Sequence, residues 1–201
     1  MYLMPKIVDK EQKRLAIATA CIDLFIERGI TDLTVSEVAK HAGIGKGTIY
    51  HYFKNKNDIV FTIIDTFIQE ELQKLDHDLA KMQHFDQKLY RFFDFSLSQH
   101  LPYRQDQLKS YLEYLSVSIT SSDNKMQEFN KECRKKFRIR LDRIIDEAIE
   151  KKQVKPQAKD LVQGLYATEK GFLLLCGTEN VQDAPQKMRQ FLDAMIQLMR
   201  I

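Results

Sequence analysis

Residues 34–56 read TVSEVAKHAGIGKGTIYHYFKNK, and the organisation of this stretch decides the fold. Thr34-Val35-Ser36-Glu37 has the form of a capping box, in which the hydroxyl serves a free backbone N–H and the carboxylate reaches back. The helix it opens is short because Gly43 ends it. Lys46 to Tyr52 then leaves room for barely two turns before Phe53. Two short helices joined by a three-residue turn with glycine form the helix-turn-helix pattern. On a helical wheel Ile49 and Phe53 fall together and point inward, against Val38, Ala39 and Ile44. Gly47 and His51 lie on the opposite side with Thr48 and Tyr50 flanking them, and Lys46 stands at the N-terminal end. Tyr52 projects nearer the inward side and reads as packing. The outward face thus offers a hydroxyl, a phenol, an imidazole and bare backbone, groups that hydrogen-bond phosphates and base edges. Each side chain taken singly has an ordinary surface reading; Thr48 is equally a solvated residue and Tyr50 a half-buried ring.

Working outward, every other segment also reads as helix. Asp9 followed by Gln12 caps a first helix with Leu15, Ala18, Ile22 and Phe25 inward and Gly29 at its end. Asn55-Lys56-Asn57-Asp58 starts a long helix carrying Ile59, Ile63, Phe67, Leu72, Leu75 and Leu79. Asp86 to His100 gives another, broken by Pro102. Leu108 to Ile119 follows, and Ser121-Ser122-Asp123 marks a turn and cap. A charged amphipathic helix to Lys152 turns Phe129, Cys133, Phe137, Leu141, Ile144, Ile145 and Ala148 inward. Pro156 ends the linker after it, and two helices at about 158–176 and 184–200 close the chain. The expectation is an all-α protein of nine helices. A helix-turn-helix unit occupies residues 1–54, and a larger helical domain occupies residues 55–201.

Composition agrees. The 201 residues are 44% hydrophobic and 29% charged, enough for a full core and unlike a disordered chain. Seven Gly and four Pro are too few for an all-β fold rich in tight turns. The longest apolar run, Phe172 to Cys176, is too short to cross a bilayer, and Lys6, Asp9, Lys10, Glu11, Lys13 and Arg14 interrupt any secretory signal. Cys21, Cys133 and Cys176 are odd in number and widely spaced, so they read as reduced, buried thiols rather than disulfides or metal ligands. A cytoplasmic protein is expected. The net charge is +3, and residues 1–57 account for it with nine Lys and Arg against six Asp and Glu. Lys40, Lys46, Lys54 and Lys56 share one short window with His41 and His51, a weak pointer to a phosphate backbone.

Taken together, residues 34–56 closely resemble the DNA-binding signature of the tetracycline-repressor (TetR) family, most specifically at Lys46-Gly47-Thr48-Ile49-Tyr50-His51-Tyr52-Phe53. The segment from Ala20 to Gly29 is similar to that family's first helix. Gly45 departs from the pattern, which usually has Ser or Thr capping the recognition helix. The resemblance implies that Thr34, Lys46, Gly47, Thr48, Tyr50, His51 and Lys56 contact DNA. It further implies a palindromic operator in double-stranded DNA, a homodimer through the last two helices, and a repressor released by a small-molecule effector, with no cofactor. The dimer has independent support, because residues 161–176 are apolar around nearly the whole helix and Met188, Phe191, Leu192, Met195, Ile196 and Met199 make a wide stripe. The expected interface uses Leu161, Leu165, Phe172, Met188, Phe191, Leu192 and Met195, with Gly164 and Gly171 allowing close approach.

Candidate effector contacts are the aromatics Phe67, Tyr90, Phe93, Tyr111, Tyr114, Phe129, Phe137 and Tyr166, and with Leu and Ile around them they suit an apolar or aromatic small molecule. A stripe at helical spacing is also ordinary core. Glu169, in the apolar penultimate helix, either binds a polar effector group or pairs with a nearby Lys or Arg. His77 and His84 lie seven apart without a Cys partner and read as solvated, so no metal site is expected; nothing marks His100. No phosphate-cradling loop, nucleophile elbow or HExxH occurs, so an enzyme is not expected. The competing reading is a DNA-binding protein whose large domain serves a protein partner.

Overall fold

In the computed structural model the described residues are 9–97, 104–120, 124–179 and 183–201, without the side chains at 30, 95–97, 104–111, 176, 177 and 184. His100, Pro102 and the turn at 121–123 lie outside them, as do the side chains of Tyr111 and Cys176. Ten α-helices and one 3-10 segment make up the regular structure of the described residues, which fall into two units, Met1–Glu70 and Glu71–Ile201.

The first unit holds α1 (Lys10–Ala20), α2 (Ile22–Asp32), α3 (Val35–His41), α4 (Lys46–Ile49) and the first part of α5 (Lys56–Lys81). Asp9 caps α1 as the sequence suggests, its Oδ1 accepting from the Glu11 N–H at 3.0 Å. The single helix expected from Asp9 to Gly29 is two, which raises the number from nine to ten. It breaks at Cys21 (φ −107°, ψ 7°), whose N–H turns back to the Ala18 carbonyl at 3.0 Å. The break seats the thiol in the core, where Sγ donates to the Val38 carbonyl at 3.7 Å and burial pushes its pKa up to about 11. No glycine or proline marks this position, so tertiary packing decides it. Gly29 does interrupt α2, with φ 74°, a conformation an L side chain resists. Leu15 corrects the expected inward stripe of α1: it is 45% exposed, while Ile17, Ala18 and Cys21 are buried.

The second unit begins with the end of α5 and adds α6 (Phe85–Leu97), α7 (Arg104–Thr120), α8 (Asn124–Glu150), a 3-10 segment (Pro156–Leu161), α9 (Val162–Thr178) and α10 (Ala184–Met199). Helix α6 is its centre, packing on α8, α9 and α10. Leu89 and Phe93, one turn apart, are completely buried, and Leu141, Ile145, Leu165 and Leu192 come from the surrounding helices. Gln153 ties the start of α6 to the loop after α8, its Oε1 accepting from the Phe85 N–H at 2.9 Å and its Nε2 donating to Gln83 O at 3.2 Å. No described helix is long and apolar enough to cross a membrane.

Leu89→Ala removes side-chain volume from this closed core, so it is expected to cost about 2–5 kcal/mol in urea denaturation. Leu15→Ala should stay within about 0.5 kcal/mol. Equal losses at the two positions would contradict the packing described here.

Candidate nucleic-acid interface

Helix α3 opens with the full capping box. The Thr34 hydroxyl accepts from the Glu37 N–H at 3.2 Å, and Glu37 Oε2 accepts from the Thr34 N–H at 3.0 Å and from its hydroxyl at 2.7 Å. Those bonds, the hydroxyl's first, lower the Glu37 pKa. Both Thr34 donors are therefore turned to Glu37, and a phosphate contact from this residue requires the carboxylate to give way.

The turn after α3 depends on Gly43 at φ 67°, followed by an Ile44 N–H bond to the Ala39 carbonyl at 2.9 Å. Helix α4 then starts at Gly45 with no side-chain cap. A Cβ at Gly45 would meet only Thr48 Oγ1 at 3.4 Å, ordinary contact, so space does not forbid the Ser or Thr usual there. Helix α4 is shorter than expected, ending at Ile49. The chain keeps turning through His51 N–H to Thr48 O (3.1 Å) and Tyr52 N–H to Ile49 O (3.0 Å), and Phe53 N–H also bonds Ile49 O at 3.0 Å. The face is thereby presented as expected. Ile49 and Phe53 are buried together with Val38 and Ala39, while Lys46, Gly47, Thr48 and His51 are exposed and Tyr50 is 53% exposed. A Cβ at Gly47 would find nothing within 4 Å; the fold does not require this glycine, which leaves bare backbone open to a close approach. Lys56 is half-buried, and its Nζ donates to the Thr31 carbonyl at 2.7 Å.

The residue that sequence reasoning missed is Arg14. From α1 its guanidinium donates to Asp58 Oδ1 at 3.0 Å and Oδ2 at 3.2 Å, to Thr62 Oγ1 at 3.0 Å and to the Tyr52 carbonyl. It also lies 4.7 Å from the centroid of the Phe53 ring, a cation–π distance. Asp58 in turn accepts from the Lys54 N–H at 2.8 Å, and Asn55 Oδ1 caps α5 by accepting from the Asp58 N–H at 2.9 Å. Arg14 holds the Asp58 carboxyl below its ordinary pKa, and Asp58 raises that of Arg14. A signal was available: Arg14 stands one turn before Ile17 and Ala18, on the side of α1 that is buried.

Seven of the eight expected effector aromatics have described side chains, and these stand in several settings. Phe67 belongs to the first unit, and Phe93 is closed core. Tyr90 donates to Asp193 beneath the Arg189 guanidinium, 4.5 Å from the ring centroid; burial first and then that bond push its pKa up to about 12. Tyr114 donates to Asn130 and packs edge-on to Phe129 at 6.3 Å between centroids. Phe137 and Tyr166 both face the Lys170 ammonium. A separate recess of about 150 Å³ is charged rather than aromatic, with Asp76, Lys88, Arg140, Arg143 and Glu147 in its wall. Of the expected interface residues, Leu165, Met188 and Leu192 are buried within the chain itself, where α9 and α10 close their own unit. Leu161, Phe172, Phe191 and Met195 are half-buried, and Leu174, Leu175 and Leu198 are exposed.

Residues 17–63 match the family described as bacterial regulatory proteins, tetR family. Over 80 residues the chain is 32% identical to the fatty acid metabolism regulator protein of Bacillus subtilis (strain 168), an alignment covering 40% of this chain and 41% of that one. The chain thus spans about two fifths of the length of this curated relative. Its fold is similar to a transcriptional regulator from Saccharomonospora viridis in complex with choline, with a TM-score of 0.74 and 18% identity over 93% of this chain and 96% of that one. It is also similar to the regulator FadR from Bacillus subtilis in complex with stearoyl-CoA, with a TM-score of 0.64 and 21% identity over 90% and 97%. At these identities the likeness shows the fold.

A carboxylate whose folded pKa is depressed stabilises the fold above its unfolded value and loses that effect as pH falls through the folded one. Asp58→Asn should therefore be less stable than the parent at pH 7, with the gap closing as pH drops below about 4. Urea titrations at several pH values measure it; a gap independent of pH would show that Asp58 is not held as described.

Proposed function

We propose that this chain, whose residues 17–63 match the tetR family of bacterial regulatory proteins, is a DNA-binding transcriptional regulator of that family, a cytoplasmic repressor which leaves a palindromic operator when a small molecule binds. Residues 1–54 read DNA, and residues 55–201 bind the effector and dimerise. The observation that carries the reading is the outward face of residues 46–51, polar and open over the buried Ile49 and Phe53. Tyr50, His51 and Thr48 supply donors and acceptors for base edges, the Gly47 backbone permits close approach, and Lys46 and Lys56 supply charge for phosphates.

Two of these heads related by a two-fold axis match half-sites one or more helical turns apart. The dimer uses the faces of α9 and α10 that their own unit leaves open. Gly164 and Gly171 support this, since a Cβ at either would meet nothing within 4 Å, and Leu174, Leu175 and Leu198 lie exposed on the same two helices. Helix α5 contributes to both units and is the element through which an effector changes the spacing of the heads. An effector that prefers the altered spacing weakens DNA binding by the same free energy with which DNA weakens the effector. The effector has an apolar or aromatic body. Choline and stearoyl-CoA in the two solved neighbours favour a small-molecule ligand over a protein partner, and their unlike chemistry leaves its class to this chain's own residues.

With an operator selected from random duplexes, Tyr50→Ala and His51→Ala should each weaken binding at least about tenfold, roughly one lost base contact, without loss of helicity. Lys56→Ala should weaken all duplexes alike and reduce the log–log salt slope by about one. Operator affinity at the parent level in both Tyr50→Ala and His51→Ala would refute this face as the reader. Sedimentation should show a dimer at micromolar concentration and a monomer for Gly171→Glu; a monomeric parent chain would remove the two-headed arrangement.

A further inference from the structure

Helices α5, α6 and α8 share the recess of about 150 Å³. Its charged wall sets three basic side chains, Lys88, Arg140 and Arg143, against two carboxylates, Asp76 and Glu147, and Leu79, Ala80 and Ile144 supply the apolar part. Each carboxylate oxygen already accepts from a cation. Asp76 takes Arg140 in a fork, Nε to Oδ1 at 2.9 Å and Nη2 to Oδ2 at 2.6 Å. Glu147 takes Lys88 Nζ on Oε2 and Lys151 Nζ on Oε1, each at 2.6 Å. Arg143 is exposed and has no hydrogen bond or ion pair among the described residues. We propose that this recess binds a small organic carboxylate, its headgroup on the Arg143 guanidinium and its apolar body along Leu79, Ala80 and Ile144. The site rests on the effector reading of residues 55–201 only for its consequence for DNA.

The balance of charge on the wall selects an anion. Glu147 stands one turn from Arg143 on α8 and is the residue best placed to pair with it. Lys88 and Lys151 hold both of its oxygens instead, and their bonds, that of Lys151 first, keep its pKa below the ordinary value. One positive charge of the wall is therefore left without a carboxylate. A guanidinium offers parallel N–H groups that match a carboxylate. Lys88 strengthens the field, since it is only 8% exposed and shares its one carboxylate with Lys151. A cation in the recess would meet the surplus charge and find both carboxylates taken, and a neutral molecule would leave that charge unanswered. Size and lining select the body. A cavity of about 150 Å³ takes up one benzene ring, and Leu79 and Ile144 give such a ring apolar contact. Inorganic phosphate would use the charge but leave that side of the recess unfilled. Because Arg143 is exposed, salt screens it, and the affinity should fall as ionic strength rises.

The test is calorimetric titration of the full chain with benzoate, its neutral counterpart benzamide, and inorganic phosphate at fixed ionic strength. The parent should bind benzoate at least about tenfold more tightly than either of the others, the worth of one charged hydrogen-bonded contact. Arg143→Gln should lower benzoate affinity at least about tenfold at an unchanged melting temperature, because the side chain it replaces has no partner among the described residues. Arg143→Lys should keep more of the affinity than Arg143→Gln. Ala80 is exposed on the same wall, and Ala80→Glu, which brings a carboxylate to the recess, should weaken benzoate to a similar degree. No uptake of benzoate by the parent, or benzoate and benzamide bound alike, would overturn the anion site. Parent affinity in both Arg143→Gln and Ala80→Glu would overturn its place in this recess, and phosphate bound as tightly as benzoate would overturn the organic body. Operator affinity separates the site from the regulatory reading. Benzoate that fills the recess without changing operator affinity counts against the regulatory reading alone. A compound that changes operator affinity equally in the parent and in Arg143→Gln counts against the recess as the effector site alone.

Discussion

The guanidinium of Arg14 is the constraint on which the presented face depends. Helix α4 has four residues, too few for propagation to repay nucleation, so it cannot stand by its own hydrogen bonds. Its geometry is imposed from outside. Arg14 accomplishes this by binding the Tyr52 carbonyl at the exit of the turn while gripping Asp58 and Thr62 on α5 and covering the Phe53 ring. A planar group with five donors in fixed directions suits this task, and a lysine, with one compact charge, would not bridge the same set. Because Asp58 also accepts from the Lys54 N–H, the segment between α4 and α5 is tied at both ends of one carboxylate.

From that staple the remaining order follows by packing. Phe53 is fixed, Ile49 one turn before it shares its burial, and Thr48, Tyr50 and His51 are left outward. The polarity of residues 46–51 is therefore displayed by the burial of two apolar anchors. The second unit uses the same logic differently. Its buried core on α6 is self-sufficient, and charged groups at the edges are paired, as in Arg140 with Asp76 at 2.6 Å and Lys88 with Glu147 at 2.6 Å. Lys170 differs from these pairs in that aromatic rings share its charge with the carboxylate.

Local signals were the legible ones. The Asp9 cap, the Thr34–Glu37 box, the Gly43 turn and the inward pair Ile49 and Phe53 each involve residues within four positions of one another, so the chain alone specifies them. The break at Cys21 was not legible because no residue there disfavours a helix; the demand to seat the thiol against Val38 comes from across the fold. Arg14 was hidden for the same reason, its partners lying 38, 44 and 48 positions away. On α9 and α10 apolar periodicity says that a residue avoids water, but not whether its own unit or another surface covers it. Leu165, Met188 and Leu192 took the first role. Aromatic spacing had the same ambiguity, and the meeting of Phe137 and Tyr166 at Lys170 needed two helices to be brought together.

Amide hydrogen exchange in Arg14→Met tests the staple most directly. The account predicts that the amides of Ile49, Tyr52 and Phe53 exchange at least about tenfold faster than in the parent chain, while those of Ile144 and Ile145 in α8 keep their protection. Unchanged protection at Ile49, Tyr52 and Phe53 would contradict it, since the short helix α4 would then hold its place without Arg14.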